Sequence, residues 1–403
     1  MKSGVEKMKV LFWMNSGFDI HSTSEHLLKA VIEQLAKSGN QVHAIQMNQG
    51  GQLPKLPEDL AQLGVTTDSI PYSAPSKGNF VARYLGAIRY YLSCRKALKE
   101  HTNSDAVFLQ STNVSIVSAR LARRYNRHAN ITLNVQDIFP YNAGYSRSIK
   151  RNGFVFKVMA AFQRRGYKIV DHIITISEDM KDTLVQDGTS AEKIDVIYNW
   201  SYQDEPYDQD KLDMAVPDRL FDKRYFNVVY AGNIGVMQNV DILIEAAKMM
   251  MDDKDVWFHI IGNGVYKDKL EARAKGYGIT NLSFWPMQPP ESAPAIYSAA
   301  DVNVIPLVKD VYRTALPSKT ATCLACGKPI IFAIGKDSKF GRKVMQEAGC
   351  PVIEPDHPED LVSTLYEIKR SPQRKECGQF FQKYCGITEN SKRYTQIIIG
   401  THR

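Results

Sequence analysis

The chain has 403 residues, of which 44% are hydrophobic and 23% charged, a balance typical of folded globular proteins and not of disordered chains. At about 150 residues per domain, this length predicts two or three domains. No apolar run approaches the roughly 18 residues that cross a bilayer, and the apolar stretch near the amino terminus is too short for a secretory signal. These features predict a cytoplasmic protein without a membrane span.

The net charge of +8 is unevenly distributed. Residues 1–205 hold 25 Lys and Arg against 19 Asp and Glu, so most of the excess lies in the first half. Two stretches carry much of it: residues 77–101 hold six basic residues against one acidic residue, and residues 145–168 hold seven basic residues and no acidic one. Both are interleaved with aromatic residues. They favour helices on an anionic membrane surface; solvated helices packed on their own domain are the alternative, and a nucleic-acid partner is disfavoured.

The first half alternates strand-like and helix-like segments. Residues 9–15 predict a buried parallel strand, and Ser-Thr-Ser-Glu at 22–25 predicts a capping box that starts a helix ending near Gly39. Since strands and helices alternate, a parallel sheet with right-handed crossovers is expected. The further predicted strands are 41–46, 106–110, 131–136, 172–176 and 194–198.

A polar segment at 202–223 interrupts this rhythm and is interpreted as a linker, after which the pattern restarts. The second half has predicted strands at 226–230, 256–261, 282–285, 302–305, 329–332 and 352–353, and predicted helices at 240–251, 267–274, 293–299 and 318–325. Two similar α/β halves would place the default ligand site in the crevice between them, at the carboxyl ends of the strands.

Two turns of the second half suit a phosphate ligand. The turn at 231–235, Ala-Gly-Asn-Ile-Gly, follows a strand and precedes a helix, so a phosphate could approach its backbone. Ser318 would cap the helix at 318–325 and Lys319 would place a cation there. Together they favour a diphosphate; an unliganded turn and a solvated lysine are the alternatives. In the first half, Asp137 follows a strand and could orient a hydroxyl, or could simply cap a turn.

Other patterns are interpreted as structural. The six cysteines are expected to be free thiols, and Cys323 and Cys326, although spaced like a zinc or redox pair, are attributed to packing because no second pair completes a site. The Asp-x-Asp triplets at 208–210 and 253–255 could hold Mg²⁺ or Mn²⁺ but are interpreted as solvated surface. The sequence contains no G-x-S-x-G, H-E-x-x-H or Walker motif and no Cys/His metal array.

In this order, the segments resemble glycosyltransferase family 4, and most of all its capsule, exopolysaccharide and O-antigen branch. The resemblance implies an α/β protein of GT-B fold, with two Rossmann-like domains whose parallel sheets face across a central cleft. Residues 1–205 would bind the acceptor and residues 206–385 the nucleotide sugar. A C-terminal helix at 386–403 would cross back to the first domain, and the helical pattern over 379–398 suits such a helix. The resemblance rests on 134–140, 174–178, 197–200, 230–235, 261–264 and 316–329.

Carried over by position, the resemblance implies two catalytic residues, Asp137 and Lys319. The implied residues that bind the sugar donor are Gly17, Gly232, Asn233, Gly235, Gly262, Asn263, Gly264, Arg313, Pro317, Ser318 and Thr322.

Two departures from the family pattern stand out. Thr314 and Thr322 occupy the positions of the family's paired glutamates, of which the second binds ribose hydroxyls. Asn233 and Gln238 stand where the family carries the Arg and Lys that bind the diphosphate, so Lys319 and Arg313 would have to supply the charge. The sequence therefore leaves two functions open: an active enzyme with an altered way of binding its sugar donor, and a chain that has lost activity.

The preferred function is retaining transfer of a sugar from a nucleotide diphosphate, with a UDP-sugar favoured, to a lipid-linked saccharide at the inner face of the membrane. Neither a cofactor nor a protein-bound metal is expected, and a homo-oligomer is allowed for. The alternative is a non-enzymatic subunit of a polysaccharide assembly that binds sugar nucleotides or membranes. An NAD-dependent oxidoreductase is disfavoured because the G-x-G-x-x-G fingerprint is missing.

Overall fold

The computed structural model describes residues 7–18, 25–49, 54–73, 80–110, 112–371 and 376–401. By its internal contacts the chain divides into two compact units. Unit 1 comprises Met1–Tyr198 with Ile387–Arg403, and unit 2 comprises Asn199–Gly386. The predicted capping box at 22–25 lies outside the described residues except for Glu25, where the first helix begins.

Unit 1 is built on a parallel seven-stranded sheet with strand order β3-β2-β1-β4-β5-β6-β7. Its strands are β1 Lys9–Trp13, β2 Gln41–Asn48, β3 Thr66–Pro71, β4 Ala106–Leu109, β5 Asn130–Val135, β6 His172–Thr175 and β7 Ile194–Val196. Its helices up to β7 are α1 Glu25–Lys37, α2 Glu58–Gln62, α3 Phe80–Ser93, α4 Arg95–Glu100, α5 Ser115–Tyr125, α6 Tyr141–Tyr145, α7 Phe154–Ile169 and α8 Glu178–Gln186.

Unit 2 repeats the plan with a parallel six-stranded sheet of order β10-β9-β8-β11-β12-β13. Its strands are β8 Phe226–Ala231, β9 Val256–Ile261, β10 Leu282–Trp285, β11 Val302–Pro306, β12 Ile330–Ala333 and β13 Val352–Ile353. Its helices are α9 Ala215–Leu220, α10 Asp241–Met249, α11 Lys267–Gly276, α12 Ala293–Ala299, α13 Lys319–Ala325, α14 Lys339–Ala348, α15 Pro358–Arg370 and α16 Glu376–Tyr384. The last helix, α17 Ile387–Ile398, belongs to unit 1.

The central strands of both sheets are mainly apolar and almost fully buried, as expected for parallel strands that helices cover on both faces. In unit 1, Phe12 of β1 and Phe108 of β4 are fully buried and stack with their ring centroids 4.2 Å apart. In unit 2, Val228, Phe258 and Val304 of three neighbouring strands form the centre of the corresponding core. Burial of such side chains stabilises a fold by about 1.5–3 kcal/mol each.

The predicted strands are confirmed, with ends that shift by no more than two residues. Several elements were not predicted, among them the helices α14 and α15, which follow β12 and β13. The edge strand β3 is half-exposed and reads Thr-Thr-Asp-Ser-Ile-Pro, so it lacks an apolar pattern. The short helix α9 lies inside the segment interpreted as a linker. The prediction of one helical stretch over 379–398 is wrong, because α16 ends at Tyr384 and a new helix begins at Ile387.

Helix α17 packs against α1 and β5 within unit 1. The side-chain amide of Asn130 donates hydrogen bonds to the carbonyls of Ile397 and Ile398, at 2.8 and 2.9 Å, and so holds the last turn of the helix. All six cysteines are free and buried, as predicted. None of the helices that the structure describes has the length and apolar character needed to cross a membrane.

Candidate functional site

Two glycine-containing turns meet at the carboxyl edge of the unit 2 sheet. One, Gly232–Gly235, follows β8, and the other, Gly262–Gly264, follows the neighbouring strand β9. Backbone hydrogen bonds join them: the Gly232 amide donates to the Ile261 carbonyl at 2.9 Å, and the Ile234 amide donates to the Asn263 carbonyl at 2.9 Å. The two turns therefore form one continuous backbone surface.

Close contact between these turns explains the glycines of the second one. A Cβ atom added to Gly262 would lie 1.9 Å from the Gly232 carbonyl oxygen, and one added to Gly264 would lie 2.1 Å from the Ile234 carbonyl oxygen. Gly232 and Gly262 also have φ angles of +142° and +149°, which L side chains rarely adopt. Both glycines of the second turn are thus required for packing, whether or not a ligand lies against it.

Lys319, the first residue of α13, extends over the first glycine turn. Its Nζ donates to the Ala231 carbonyl at 3.0 Å and lies 3.5 Å from the centroid of the Tyr230 ring. A Cβ on Gly232 would be 3.3 Å from this Nζ, so the ammonium group sits directly beside the turn. Burial lowers the pKa of Lys319 to about 7. An approaching anion would restore the charged form, because opposite charge favours it.

The structure corrects two expectations about helix starts. Ser318 occupies the N-cap position of α13, but its backbone is helical (φ −59°, ψ −30°) and its side chain makes no capping hydrogen bond. The first glycine turn does not lead directly into a helix either. A 3-10 turn at Val236–Gln238 and the left-handed Asn239 intervene, and α10 begins only at Asp241. Positive charge at this edge therefore comes from Lys319 more than from helix ends.

Thr314 and Thr322, the two threonines that the sequence analysis singled out, both form contacts within unit 2. Thr314 is buried, and its hydroxyl donates to the Val311 carbonyl at 3.1 Å. The half-buried Thr322 lies 3.3 Å, oxygen to oxygen, from the hydroxyl of the buried Ser201, which in turn lies 3.0 Å from the Tyr207 hydroxyl. The Thr314 hydroxyl is therefore used inside unit 2, whereas the Thr322 hydroxyl is the last of three neighbouring hydroxyl groups, after those of Tyr207 and Ser201.

The other predicted residues of unit 2 lie around this edge with fewer contacts to one another. The exposed Asn233 donates to the Gln238 side chain at 3.3 Å. Arg313 is exposed and forms an ion pair with Asp310, with Nε 3.4 Å from the carboxylate. Asn263 is exposed, and Pro317 is half-buried just before α13. The structure therefore brings together Lys319 and both glycine turns, while Arg313 is held by its own neighbour.

In unit 1, Gly17 lies in the turn after β1, which two buried glutamines hold in place. The Phe18 amide donates to the Gln46 side-chain oxygen at 3.0 Å, and the Asn15 amide donates to the Gln110 side-chain oxygen at 2.7 Å. Gln46 belongs to β2 and Gln110 follows β4, the two strands that flank β1. The turn is thereby fixed at the carboxyl edge of the sheet.

Asp137 follows β5 at the same edge of the unit 1 sheet, and its side chain is exposed. The surrounding protein desolvates the carboxyl group and raises its pKa to about 7. Among the described residues, none contributes a hydrogen bond to the Asp137 carboxyl group. It is available to a ligand.

Sequence reasoning missed several residues that build this site. Besides Gln46 and Gln110, it missed Lys267, whose Nζ donates to the carbonyls of Gly262 and Trp285, both at 3.0 Å, and so ties the ends of β9 and β10 together. The sequence held a weak signal for two of these residues. Gln110 directly follows the apolar strand β4, and Lys267 lies in the first turn of the helix that follows β9.

Comparison with known proteins agrees with this architecture. The profile named Glycosyltransferase Family 4 matches residues 24–200, and the profile named Glycosyl transferases group 1 matches residues 225–370. WcaI of Escherichia coli K12, a glycosyl transferase named for colanic acid biosynthesis, is 29% identical over 60% of this chain and 60% of its own length. The glycosyltransferase WbjE of Pseudomonas aeruginosa is 22% identical over 76% of this chain and 78% of its own length.

The structure of HepE from Anabaena, in complex with UDP and glucose, superposes with a TM-score of 0.70 at 13% identity, over 96% of this chain and 98% of HepE. Two parallel α/β units of this kind define the GT-B fold, which the sequence predicted. The chain belongs to glycosyltransferase family 4.

Proposed function

We propose that this protein transfers a sugar from a UDP-sugar to a saccharide acceptor, with unit 2 binding the sugar nucleotide and unit 1 the acceptor. The observation that carries the proposal is the position of Lys319, whose ammonium group lies beside a turn of exposed backbone at the carboxyl edge of a parallel sheet. Such an edge is where open α/β sheets bind ligands. The UDP in the HepE structure supports uracil as the base.

In the proposed reaction, the bond between the anomeric carbon and the diphosphate oxygen breaks while the acceptor hydroxyl attacks from the same face of the sugar. The configuration is thereby retained, and the hydroxyl proton passes to the leaving diphosphate. Lys319 stabilises the negative charge that grows on that diphosphate, which is where fixed positive charge accelerates a reaction most. Asp137 accepts a hydrogen bond from the acceptor hydroxyl and so orients it.

Thr322 takes over part of the role of the missing glutamate. Its hydroxyl already contacts Ser201, and it has capacity for one further hydrogen bond to a ribose hydroxyl. A single neutral hydrogen bond contributes about 0.5–1.5 kcal/mol, whereas bonds to a charged carboxylate contribute about 1.5–3 kcal/mol. The protein is therefore expected to bind the ribose more weakly than relatives that carry the glutamate pair, and to depend more on the diphosphate.

The acceptor is proposed to be a lipid-linked saccharide of surface polysaccharide synthesis, used at the cytoplasmic face of the membrane. Colanic acid, for which WcaI is named, is the supporting case. The same fold could instead serve as a non-enzymatic sugar-nucleotide or membrane-binding subunit, which the replacement of both glutamates would favour. Transfer or hydrolysis of the sugar donor by the purified protein separates these functions.

A thermal-shift screen tests binding of the sugar donor first. Purified protein would be heated with UDP-, GDP- and dTDP-sugars at equal concentrations. A sugar nucleotide present at 100 times its Kd stabilises the folded state by about 2.7 kcal/mol, so UDP-sugars should raise the unfolding temperature by an amount that is easily measured. If no sugar nucleotide stabilises the protein, the proposed function fails.

Turnover is expected to be independent of metal ions. The Asp-x-Asp triplets are not placed to hold a metal beside a diphosphate: Asp208 pairs with Lys211 at 3.0 Å in unit 2, and Asp253 pairs with Lys369 at 3.2 Å. Turnover would be measured with EDTA and again with added Mn²⁺, and both rates should match that of untreated protein. Loss of activity in EDTA that Mn²⁺ restores would show that a metal takes part.

Attachment to the membrane is proposed to use two helices of unit 1. The structure corrects the set of aromatic residues predicted to face lipid, because Tyr90, Tyr91 and Phe156 are buried in the core. Other apolar side chains of the two stretches, Phe154 and Phe162 among them, are exposed on α3 and α7, which both pack against α5. Phe154 is 83% and Val81 64% exposed. We call the exposed set the apolar patch: Val81, Leu85, Phe154, Val155 and Phe162.

The protein is expected to co-sediment with anionic vesicles and much less with neutral ones. Each Lys or Arg near an anionic surface contributes about 1 kcal/mol, so four engaged charges give roughly 4 kcal/mol. Salt should weaken binding, since it screens exposed charges beyond about 8 Å. Contacts between the apolar patch and the lipid should keep part of the vesicle binding resistant to salt. The test variant changes exposed basic residues beside the patch to Ser: Arg147, Lys150, Arg151, Lys157 and Arg165.

A matched control removes exposed lysines from unit 2 instead and should bind vesicles like the wild type. Its residues are Lys254, Lys269, Lys275 and Lys309. Equal binding to neutral and anionic vesicles, or equal loss in both variants, would contradict an electrostatic attachment through α3 and α7.

A further inference from the structure

A cluster of three metal-ligating side chains lies in unit 1, at the edge of the sheet opposite to the Gly17 turn. His43 is near the start of β2, Asp68 lies in the edge strand β3, and His101 follows directly after α4. The Asp68 carboxylate oxygen is 3.3 Å from Nε2 of His43 and 3.8 Å from Nε2 of His101. All three ligand atoms lie within 4.8 Å of one another.

These distances are close to those of a metal site. With bonds of about 2.0–2.1 Å, the ligand atoms of a tetrahedral zinc ion lie about 3.4 Å apart. The oxygen-to-nitrogen distances of 3.3 and 3.8 Å bracket this value. The three atoms are therefore close enough to enter one coordination sphere once the His101 ring reorients.

His43 is prepared for a role as ligand. Its Nδ1 lies 2.8 Å from the Thr66 hydroxyl, which fixes the ring and directs Nε2 towards Asp68. Ligating histidines are usually held in this way by a hydrogen bond at the other ring nitrogen.

A cavity of about 440 Å³ opens beside the two histidines and gives room for water ligands. Glu100 lines it and adds a second carboxylate, while Lys9 is a lining cation that would oppose metal binding. Three protein ligands with an open position, two of them imidazoles, suit zinc and its neighbours in the transition series more than Mg²⁺ or Ca²⁺, which prefer oxygen ligands.

The two imidazole rings stack on each other, with centroids 3.6 Å apart and planes inclined by 20°. Nitrogen lone pairs lie in the ring planes, so one ion cannot be bound well by both rings in this arrangement. His101 must turn out of the stack when the metal enters. Its side chain is 30% exposed, lies directly after the short helix α4, and lines the cavity into which it would turn.

We propose that His43, Asp68 and His101 form a binding site for one divalent transition-metal ion of the zinc class, separate from the site of sugar transfer. Such an ion would join β2 and the edge strand β3 to the segment after α4, and so stabilise unit 1. The three residues are 25 and 33 positions apart in the sequence, which is why no metal motif was visible there. This proposal does not depend on the proposed function.

The test uses the full chain without a histidine tag, dialysed against EDTA and then freed of it. Titration calorimetry with Zn²⁺ should show one saturable site per chain, and Co²⁺ should give visible d–d absorption. The variants His101→Ala and Asp68→Asn should each weaken Zn²⁺ binding at least tenfold. The exposed His128, elsewhere in unit 1, supplies the matched control His128→Ala, which should bind like the wild type.

The unfolding temperature provides a second readout. Zn²⁺ should raise it for the wild type and His128→Ala, and leave it unchanged for His101→Ala, which truncates a half-buried ring directly after α4. Absence of a saturable site, or equal Zn²⁺ affinity in the wild type and both ligand variants, would overturn the proposal.

Discussion

Lys319→Ala is expected to lower kcat/KM for the sugar donor at least about tenfold, equivalent to roughly 1.4 kcal/mol. The physical reason is that the Lys319 ammonium group lies beside the first glycine turn, where the neighbouring side chains of Asn233 and Gln238 carry no charge. Hydrogen bonds to charged groups contribute about 1.5–3 kcal/mol. Steady-state kinetics with a UDP-sugar measures the effect.

The control variant is Lys275→Ala, which removes an exposed lysine from the end of α11 in the same unit and should have normal kinetics. Normal kinetics for Lys319→Ala as well would mean that Lys319 only anchors the start of α13 to the Ala231 carbonyl. The positive charge that binds the diphosphate would then have to come from another residue. Arg313 is the other cation among the predicted site residues.

The pH profile distinguishes a charge that binds ligand from a structural anchor. Burial lowers the pKa of Lys319 to about 7, so in the free protein it is charged below this pH and loses its proton as the pH rises through it. Affinity for UDP should therefore fall as the pH rises from 6 to 9. Binding should also take up protons near pH 7, which calorimetry in buffers of different ionisation enthalpy detects. Both effects should disappear in Lys319→Ala.

Gly262→Ala is expected to destabilise unit 2 by about 3 kcal/mol or more, combining backbone strain of about 1–3 kcal/mol with overpacking of about 1–3 kcal/mol. The new Cβ would lie 1.9 Å from the Gly232 carbonyl oxygen, and the backbone has φ +149°. Backbone cannot move aside as a flexible side chain can, so the two glycine turns must separate. Denaturant unfolding, followed by the fluorescence of Trp257 and Trp285 in this unit, measures the loss.

Gly276→Ala is the matched control, since an added Cβ there meets no atom within 4 Å. Alanine in a helix is favoured over glycine by up to about 1 kcal/mol, so this variant should be neutral or slightly stabilised. Equal stability of the two variants would mean that the turns are not packed against each other as described. Because Gly262 would also lie near the sugar donor, its effect on stability must be measured without any nucleotide.

The sequence predicted most of the fold because its strands are buried on both faces. Runs such as Val-Leu-Phe-Trp in β1 are apolar at every position, and only a covered parallel strand needs that. The apolar pattern does not predict elements that are only partly buried. Strand β3 has polar residues at most positions, and the break between α16 and α17 falls at Cys385 and Gly386, where the helical periodicity continues on both sides.

The sequence predicted a set of residues for the candidate site, but it did not predict the contacts between them. Local patterns located the glycine turns and Lys319, because each turn follows a strand directly. Contacts between distant segments could not be predicted in this way. The packing of Gly262 on Gly232, the Lys267 bridge between two strand ends and the His43, Asp68 and His101 cluster all depend on which strands become neighbours.

We propose that this chain is an active sugar transferase although it has Thr314 and Thr322 where the resemblance implies glutamates. The most direct measurement follows UDP release and incorporation of a radiolabelled sugar into lipid-extractable material, using the purified protein, UDP-sugars and a membrane extract as the source of acceptor. We expect UDP and transferred sugar in equal amounts, and at least about tenfold less of both with Lys319→Ala at sugar-donor concentrations below KM. Saturable binding of a UDP-sugar with neither transfer nor hydrolysis would contradict the claim and identify a non-enzymatic subunit.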